Sequence, residues 1–308
     1  MKNKTKIKPK IAISIGDLNG VGIEIALKAH NEISKLCEPT YCINSYMLNQ
    51  ASKLLQIDIP ANFKLSNIDG KFTIKPSKIS SNSGKYSYDS FMQAIKLCEN
   101  HKCDAIVTMP IHKEAWMMAD IKYKGHTDLL RDYFKKDAIM MLGCQKMFVA
   151  LYTEHIPLKD ITSFIKKEKL QKFLLDLNKN LPNKKIAVLG LNPHAGDNGV
   201  LGDEEIEINK AIESVNKIIG KELFFGALVP DIAFTPHFRD KYNYFVAMYH
   251  DQGLAPLKAL YFDESINISL NLPIIRTSVD HGTAFDIAYK GEAKTLSYIN
   301  AIKSAVSF

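Results

Sequence analysis

The chain has 308 residues, of which 46% are hydrophobic and 24% are charged, and its formal net charge at pH 7 is +7. These values are typical of a soluble globular protein, and the length suffices for two domains or one large α/β unit. The positive charge does not indicate nucleic-acid binding, because the lysines are dispersed and arginine occurs only at Arg131, Arg239 and Arg276.

Other sequence features bear on the cellular compartment. No apolar run reaches the roughly 18 to 20 residues that a membrane span requires. No charged and then apolar leader precedes the first predicted strand. The five cysteines have no regular spacing, which argues against a disulfide framework. The sequence therefore predicts a cytoplasmic protein with reduced thiols and no membrane contact.

The chain begins with a strand, a glycine-rich turn and a helix. Apolar residues 11–15 predict the strand, and residues 23–37 have the spacing of an amphipathic helix. The turn between them, residues 16–22, is either a tight connection or a place where backbone amides approach an anion. Its glycine spacing matches neither the dinucleotide fingerprint nor the phosphate loop, so both interpretations stay open.

Three further elements are predicted in the first half of the chain. Residues 86–98 and 128–134 favour helices, and residues 104–109 favour a strand. The hydroxyl of Thr127 is expected to cap the second helix. His126, beside it, is either a packing residue or a substrate contact.

From residue 138 onward, strands alternate with helices predicted at residues 158–164, 170–177 and 204–219. This alternation favours an α/β fold with largely parallel sheets that are covered by helices on both faces. The predicted domains are residues 1–135 together with 273–308, and residues 136–272.

Three histidines share a local context. His155, His194 and His250 each follow a short apolar run, at residues 147–152, 186–191 and 245–249 respectively. Residues beyond the carboxyl ends of parallel strands line the ligand crevice of open α/β sheets, so the three imidazoles are expected to converge. Three imidazoles with one open position form a catalytic type of metal site. The alternative is that these histidines pack or face water.

Several polar residues occupy segments that the sequence predicts as loops. Lys258, Asn267 and Arg276 supply a point charge, a neutral amide and a planar charged fork, a combination that suits a phosphate or carboxylate. Asp251 follows His250 directly. Its carboxylate could accept a hydrogen bond from the other ring nitrogen of a ligating imidazole. Adjacent side chains on extended backbone point in opposite directions, so the pair need not touch, and this role is the less favoured one.

Taken together, the motifs resemble the 4-hydroxythreonine-4-phosphate dehydrogenase family of pyridoxal phosphate biosynthesis. The resemblance covers nearly the whole chain. It rests on the glycine turn, residues 110–113, residues 125–127, the three histidine motifs and residues 276–284. The chain departs from the family pattern at Leu18 and Ile23, where the family commonly has proline.

The resemblance implies roles for particular residues. The implied metal ligands are His155, His194 and His250, with His250 reaching across a dimer interface to complete a site formed by two subunits. The implied substrate contacts are His126, Thr127, Lys258, Asn267 and Arg276. Asp231 has either a polar role near the substrate or a loop-capping role. Neither the residues nor the resemblance identifies the general base.

The resemblance also implies a reaction. It is the NAD- or NADP-dependent oxidation of 4-phosphohydroxy-L-threonine to 2-amino-3-oxo-4-phosphooxybutanoate, with zinc, cobalt or magnesium as the metal. That product loses carbon dioxide to give 3-amino-2-oxopropyl phosphate, in pyridoxine 5'-phosphate biosynthesis. The implied architecture is that of isocitrate and isopropylmalate dehydrogenases, with two α/β/α subdomains and the active site in the cleft between them. The implied assembly is a homodimer.

Other functions remain open at this stage. A related dehydrogenase could oxidise a phosphorylated threonate or erythronate, because the same metal and phosphate contacts would serve both substrates. A non-catalytic phosphometabolite-binding protein could retain the pocket, and a metal-dependent aldolase or isomerase would use similar groups. Metal-dependent formation of NADH would exclude the last two alternatives.

Overall fold

The computed structural model describes residues 8–307. Contacts within the chain divide it into two compact units. Unit 1 comprises the described residues of Met1–Lys136, Ile266–Ile268 and Leu272–Phe308, and unit 2 comprises Asp137–Ser265 and Ser269–Asn271.

Strands and helices alternate along most of the chain. In chain order the strands are β1 (Lys10–Ser14), β2 (Glu38–Cys42), β3 (Lys64–Leu65), β4 (Ala105–Thr108), β5 (Ile139–Cys144), β6 (Met147–Leu151), β7 (Ile186–Leu189), β8 (Phe224–Leu228), β9 (Tyr244–Ala247), β10 (Ile266–Leu270) and β11 (Ile275–Val279). The helices are α1 (Gly22–Ile33), α2 (Ser45–Leu55), α3 (Ser81–Glu99), α4 (Lys113–Met118), α5 (His126–Phe134), α6 (Lys167–Asn180), α7 (Glu204–Ile219), α8 (Pro236–Lys241), α9 (His250–Tyr261) and α10 (Leu296–Ser307).

Unit 1 is built on parallel strands in the order β3-β2-β1-β4-β11. Its central strands are continuous apolar runs, and Ile11, Ala12 and Ile13 of β1 are completely buried. Such runs are typical of parallel strands that are covered on both faces. The predicted α/β class is therefore confirmed.

Unit 2 has the strand order β5-β6-β9-β7-β8, in which β5 and β6 form an antiparallel pair and the other pairs are parallel. The three apolar runs that precede the candidate histidines form β6, β7 and β9. Because these strands are parallel neighbours in the order β6-β9-β7, the histidine segments leave the same edge of one sheet. The sequence predicted this arrangement correctly.

One local prediction was wrong. Helix α5 begins at His126 after Gly125, and its N-cap residue makes no side-chain cap, so Thr127 is a helical residue rather than the cap. The helix predicted at residues 158–164 is confirmed, and it has 3-10 geometry.

The segments predicted as loops around the anion-binding candidates are regular elements. Lys258 lies on α9, Asn267 in β10 and Arg276 in β11. Gly253 and Pro256 interrupt the helical pattern of α9 in the sequence. Gly253 is needed because a Cβ at this position would lie 2.5 Å from a methyl carbon of Val149 in β6.

All five cysteines are free thiols, as the sequence predicted, and the structure buries all of them: Cys37, Cys42, Cys98, Cys103 and Cys144. Burial raises the pKa of Cys37 and of Cys98 to about 12, so these thiols are poor nucleophiles. Within residues 8–307, none of the helices combines the length and the apolar character that crossing a bilayer demands.

Candidate active site

Arg276 places a positive charge inside unit 1. The residue pairs with Ile106 of β4 and is only 3% exposed. Its Nη2 and Nε atoms donate hydrogen bonds to Oγ1 of Thr108, over 2.7 and 3.2 Å. Burial lowers the pKa of Arg276 to about 9, so the guanidinium remains charged at neutral pH. A buried guanidinium fixed in this way suits a phosphate or carboxylate.

His126 stands at the first turn of α5 and is buried beside two aromatic rings. Its ring centroid lies 4.6 Å from that of Phe91 and 5.8 Å from that of Trp116, both in edge-on contact. Burial, together with the charge of Arg276, holds the pKa of His126 well below its usual value. The imidazole is therefore neutral at physiological pH, and one of its nitrogens can donate a hydrogen bond.

Two of the predicted substrate contacts carry a buried polar atom that lacks a hydrogen-bond partner among residues 8–307. These atoms are Nε2 of His126 and Oδ1 of Asn267. Most buried polar atoms in proteins have a partner, and an unsatisfied one costs free energy. A polar ligand that bonds to these atoms would remove that cost. Thr127, next to His126, is also buried.

The glycine turn joins two other sequence motifs in unit 1. The backbone N–H of Asp17 donates to the carbonyl of Pro110 over 2.9 Å, and that of Val21 donates to the carbonyl of Thr283 over 3.1 Å. Gly20 permits this approach, because a Cβ there would lie 2.7 Å from the same Thr283 oxygen. The turn is therefore a tight connection that holds residues 110–113 and 276–284.

Asp17 has a buried carboxylate at the centre of this turn. It accepts hydrogen bonds from the backbone of Asn19 over 2.9 Å and from the hydroxyl of Ser83 over 3.2 Å. Burial raises the pKa of Asp17, although these bonds and the nearby His112 act in the opposite direction. His112 in turn stacks on Phe285, with ring centroids 5.0 Å apart. These contacts fix the shape of the turn.

His155 and His250 lie side by side in unit 2. Their ring centroids are 5.5 Å apart, and the ring planes are inclined by 38°. Two imidazoles that bind one tetrahedral ion through nitrogen atoms at about 2 Å have centroids about 5 Å apart. The pair therefore fits a shared divalent ion in both donor chemistry and spacing.

For Asp251, the structure shows the contact that the sequence analysis had favoured less. Its Oδ1 lies 2.6 Å from Nδ1 of His250. The two residues begin helix α9 rather than extending β9, so their side chains do not point in opposite directions. A carboxylate that holds one ring nitrogen orients the imidazole and leaves Nε2 for a ligand. The His250 side chain is 37% exposed, so a ligand can reach it.

His194 lies in an unusual turn between β7 and α7. It is exposed, and residues 194–198 all have positive φ angles. Across the described part of the chain, no group of three or more His, Cys, Asp or Glu side chains is arranged to hold a metal ion. A single chain thus brings His155 and His250 together without His194. That two subunits share the metal ligands, with His250 reaching across a dimer interface, stays a prediction.

Two other candidates lie elsewhere in unit 2. Lys258 is two turns along α9 from His250, and its ammonium lies 5.7 Å from the centroid of the Phe262 ring. Asp231 is exposed in the turn that follows β8.

Sequence reasoning missed one residue at this site. Thr108 is the last residue of β4, and its hydroxyl oxygen accepts two hydrogen bonds from the Arg276 side chain. The only sequence signal for it is a polar residue at the carboxyl end of an apolar strand. That position is where ligand-binding side chains gather in open α/β sheets.

Comparisons with known proteins identify the family of the chain. The family model described as pyridoxal phosphate biosynthetic protein PdxA matches residues 35–305. A Sulfurimonas denitrificans protein named 4-hydroxythreonine-4-phosphate dehydrogenase is 72% identical over 300 residues, covering 97% of this chain and 98% of that protein. A protein of the same name from Campylobacter fetus subsp. fetus is 57% identical, with 97% of each chain covered. The crystal structure of the Klebsiella pneumoniae enzyme of that name superposes with a TM-score of 0.83 at 32% identity, covering 97% of this chain and 99% of that one.

Proposed function

The chain belongs to the pyridoxal phosphate biosynthetic protein PdxA family, and on this basis we propose how its residues act on a phosphorylated hydroxythreonine. The function best supported is that of a 4-hydroxythreonine-4-phosphate dehydrogenase, an oxidoreductase of pyridoxal phosphate biosynthesis. The structural observation that carries the proposal is the buried charge of Arg276 in the same unit as the unpartnered Nε2 of His126.

The proposed substrate contacts are His126, Thr127, Lys258, Asn267 and Arg276. Arg276 and Lys258 bind the anionic groups, and neutral His126 donates a hydrogen bond. Contacts to a phosphate that does not react supply binding energy, which orients the hydroxyl group to be oxidised. The buried part of this set is held rigidly before substrate arrives, so little conformational entropy is lost on binding.

The proposed metal ligands are His155, His194 and His250, and Asp251 orients the ring of His250. A divalent ion held by these residues would supply Lewis acidity, which would make the substrate hydroxyl more acidic. Imidazole donors favour zinc or cobalt, whereas magnesium would depend on additional oxygen ligands. Asp231 is proposed as a polar residue near the substrate.

The co-substrate is a nicotinamide nucleotide, which the dehydrogenase name of the relatives implies. We propose NAD or NADP as the acceptor of a hydride from the carbinol carbon of the substrate. The resulting β-keto acid, 2-amino-3-oxo-4-phosphooxybutanoate, loses carbon dioxide to give 3-amino-2-oxopropyl phosphate, because the ketone accepts the electrons of the broken bond.

We also propose that the enzyme is a cytoplasmic homodimer in which a second subunit completes the metal site. Large apolar side chains are exposed close to the His194 turn in sequence, at Val200, Leu201 and Ile206. Exposed apolar groups of this size favour a protein interface when they are contiguous. A homodimer would also bring together three imidazoles that a single chain does not.

One assay tests the proposed function and its nearest alternative. The purified enzyme is incubated with zinc or cobalt and with NAD or NADP, and the absorbance of the reduced nucleotide is followed. The substrates compared are 4-phosphohydroxy-L-threonine and the corresponding phosphorylated hydroxy acid without the amino group. Preference for the first supports the proposal, and preference for the second assigns a phosphothreonate or phosphoerythronate dehydrogenase. No reduction with either substrate contradicts both and leaves a binding protein or a redox-neutral enzyme.

A further inference from the structure

Buried hydrogen bonds connect the chain segments that carry the three histidines of unit 2. The hydroxyl of Thr153 donates to the carbonyl of Met248 over 2.6 Å, and the backbone N–H of Thr153 approaches the same oxygen at 3.3 Å. Thr153 lies two residues before His155, and Met248 lies two residues before His250. The segments of these two histidines are therefore tied together at one carbonyl.

Gln252 extends the connection to the segment of His194. Its Oε1 accepts from the backbone N–H of Met248, and its Nε2 donates to the carbonyl of Gly190, each over 2.7 Å. Gly190 follows β7, four residues before His194. The Gln252 side chain is buried, and its amide uses one donor and one acceptor to link two strand ends.

Glu205 binds the segment that leads into the turn at residues 194–198. Its Oε1 accepts from the backbone N–H groups of Leu191 and Asn192, each over 2.8 Å, and its Oε2 accepts from the side-chain amide of Asn192 over 2.9 Å. Glu205 is buried at the start of α7, where the helix dipole stabilises a carboxylate.

The turn that Glu205 holds is conformationally strained. Residues 194–198 have φ angles between 43° and 79°, and four of the five are not glycine. Left-handed backbone costs roughly 1 to 2 kcal/mol for each such residue, so it persists only where the surroundings fix it. Gly196 is needed here, because a Cβ would lie 2.7 Å from Oε2 of Glu205.

We propose that Thr153, Gln252 and Glu205 are positioning residues that set the relative placement of the three histidine segments for metal binding. The inference depends on the proposed function, because it takes these histidines as ligands. None of the three residues touches the metal or substrate in this scheme. Each acts through the backbone of a ligand-bearing segment.

The chain contains a matched control for Gln252. Asn216, also in unit 2, accepts at Oδ1 from the backbone N–H groups of Leu223 and Phe224 over 3.0 Å, and its Nδ2 donates to the carbonyl of Phe224 over 2.8 Å. Like Gln252, it is an amide that satisfies backbone groups. Unlike Gln252, it connects no histidine segment.

The test compares Gln252→Leu with Asn216→Leu in the full-length protein. Cobalt(II) alone is titrated, and the ligand-field absorption gives both the affinity and the geometry of the bound ion. Thermal unfolding is recorded without metal. We expect Gln252→Leu to weaken cobalt binding by about 10- to 100-fold and to change the absorption spectrum. Asn216→Leu should alter cobalt affinity by less than about twofold, since a distant site is not coupled to the ligands.

A second pair of variants keeps the test decisive if Gln252→Leu does not fold. Thr153→Val removes the hydroxyl with little change of shape, whereas Thr153→Ser retains it. Weaker cobalt binding by the valine variant with recovery in the serine variant supports the inference. Wild-type cobalt affinity and spectrum in either Gln252→Leu or Thr153→Val overturn it and leave the proposed function intact. Failure of the unmodified protein to bind cobalt overturns the proposed metal site, and the inference with it.

Discussion

The candidate residues of unit 1 and those of unit 2 differ in how firmly a single chain fixes them. Arg276 and His126 are buried, and a strand, a threonine hydroxyl and aromatic rings hold them. His155 and His194 are exposed, and His194 lies in a turn with positive φ angles. The candidate anion-binding residues of unit 1 are thus fixed by their own chain, whereas the candidate histidines of unit 2 are less firmly held.

The largest effect is expected for His194→Ala. If this histidine is one of only three protein ligands, its loss removes tight metal binding and lowers kcat/KM by about 1,000-fold or more. Metal content after dialysis and steady-state kinetics measure the two effects. The variant His237→Ala, which alters another exposed histidine segment of unit 2, serves as the control. Full metal occupancy in His194→Ala would reject the ligand assignment.

A smaller loss is expected for Arg276→Ala. Removing a buried charge that binds the substrate should lower kcat/KM. The expected loss of transition-state stabilisation is about 2 to 4 kcal/mol. Metal affinity should be unchanged, because the histidines belong to unit 2. Lys85→Ala, which removes an exposed cation of unit 1 that pairs with Asp89, should have almost no kinetic effect. A near-wild-type kcat/KM in Arg276→Ala would exclude the residue from the site.

The variant Asp251→Asn tests how far metal binding in unit 2 depends on the orientation of the His250 ring. The amide cannot reproduce the charge-assisted contact with Nδ1 of His250, so metal affinity should fall by about tenfold. Competition with a chelator measures this change. Unaltered affinity would show that the 2.6 Å contact does not orient a ligand.

The last effect concerns the pH dependence of stability in unit 1. Because the pKa of buried His126 is depressed, the unfolded chain binds its proton first as the pH falls. The contribution of neutral His126 to the free energy of unfolding is complete above the unfolded pKa of about 6.5. It is lost progressively below that pH, by at most about 1.4 kcal/mol per pH unit. His126→Leu should therefore flatten the decline of unfolding free energy between about pH 6.5 and pH 5.

Chemical denaturation at several pH values provides that measurement. The buried His30 also has a depressed pKa and will leave part of the decline in place. Replacing the exposed His101 by glutamine is the control and should leave the pH profile unchanged. A profile of His126→Leu that parallels the unmodified protein would contradict the assignment of a buried neutral imidazole.

The sequence predicted the elements whose signal is local. Apolar runs identified β6, β7 and β9, and the positions of His155, His194 and His250 beyond these strands followed from parallel pairing. Short continuous runs of this kind are buried on both faces, so the prediction did not depend on details of tertiary packing.

What the sequence did not predict depends on contacts between distant residues. Helix α9 was missed because Gly253 and Pro256 disfavour helix, although Gly253 is required where the helix meets Val149. The contact of Asp251 with His250 was favoured less for the same reason, because the prediction assumed extended backbone where helix α9 begins. Thr108 supports Arg276 across a separation of 168 residues, which no local pattern encodes.

The shared metal site can be observed by anomalous X-ray diffraction at the cobalt absorption edge, from crystals of the full-length protein grown with cobalt(II). We expect one strong peak within bonding distance of imidazole nitrogens of His155, His194 and His250, drawn from one subunit or two. A peak bonded to other residues, or ordered histidines with no peak beside them at saturating cobalt, would contradict it.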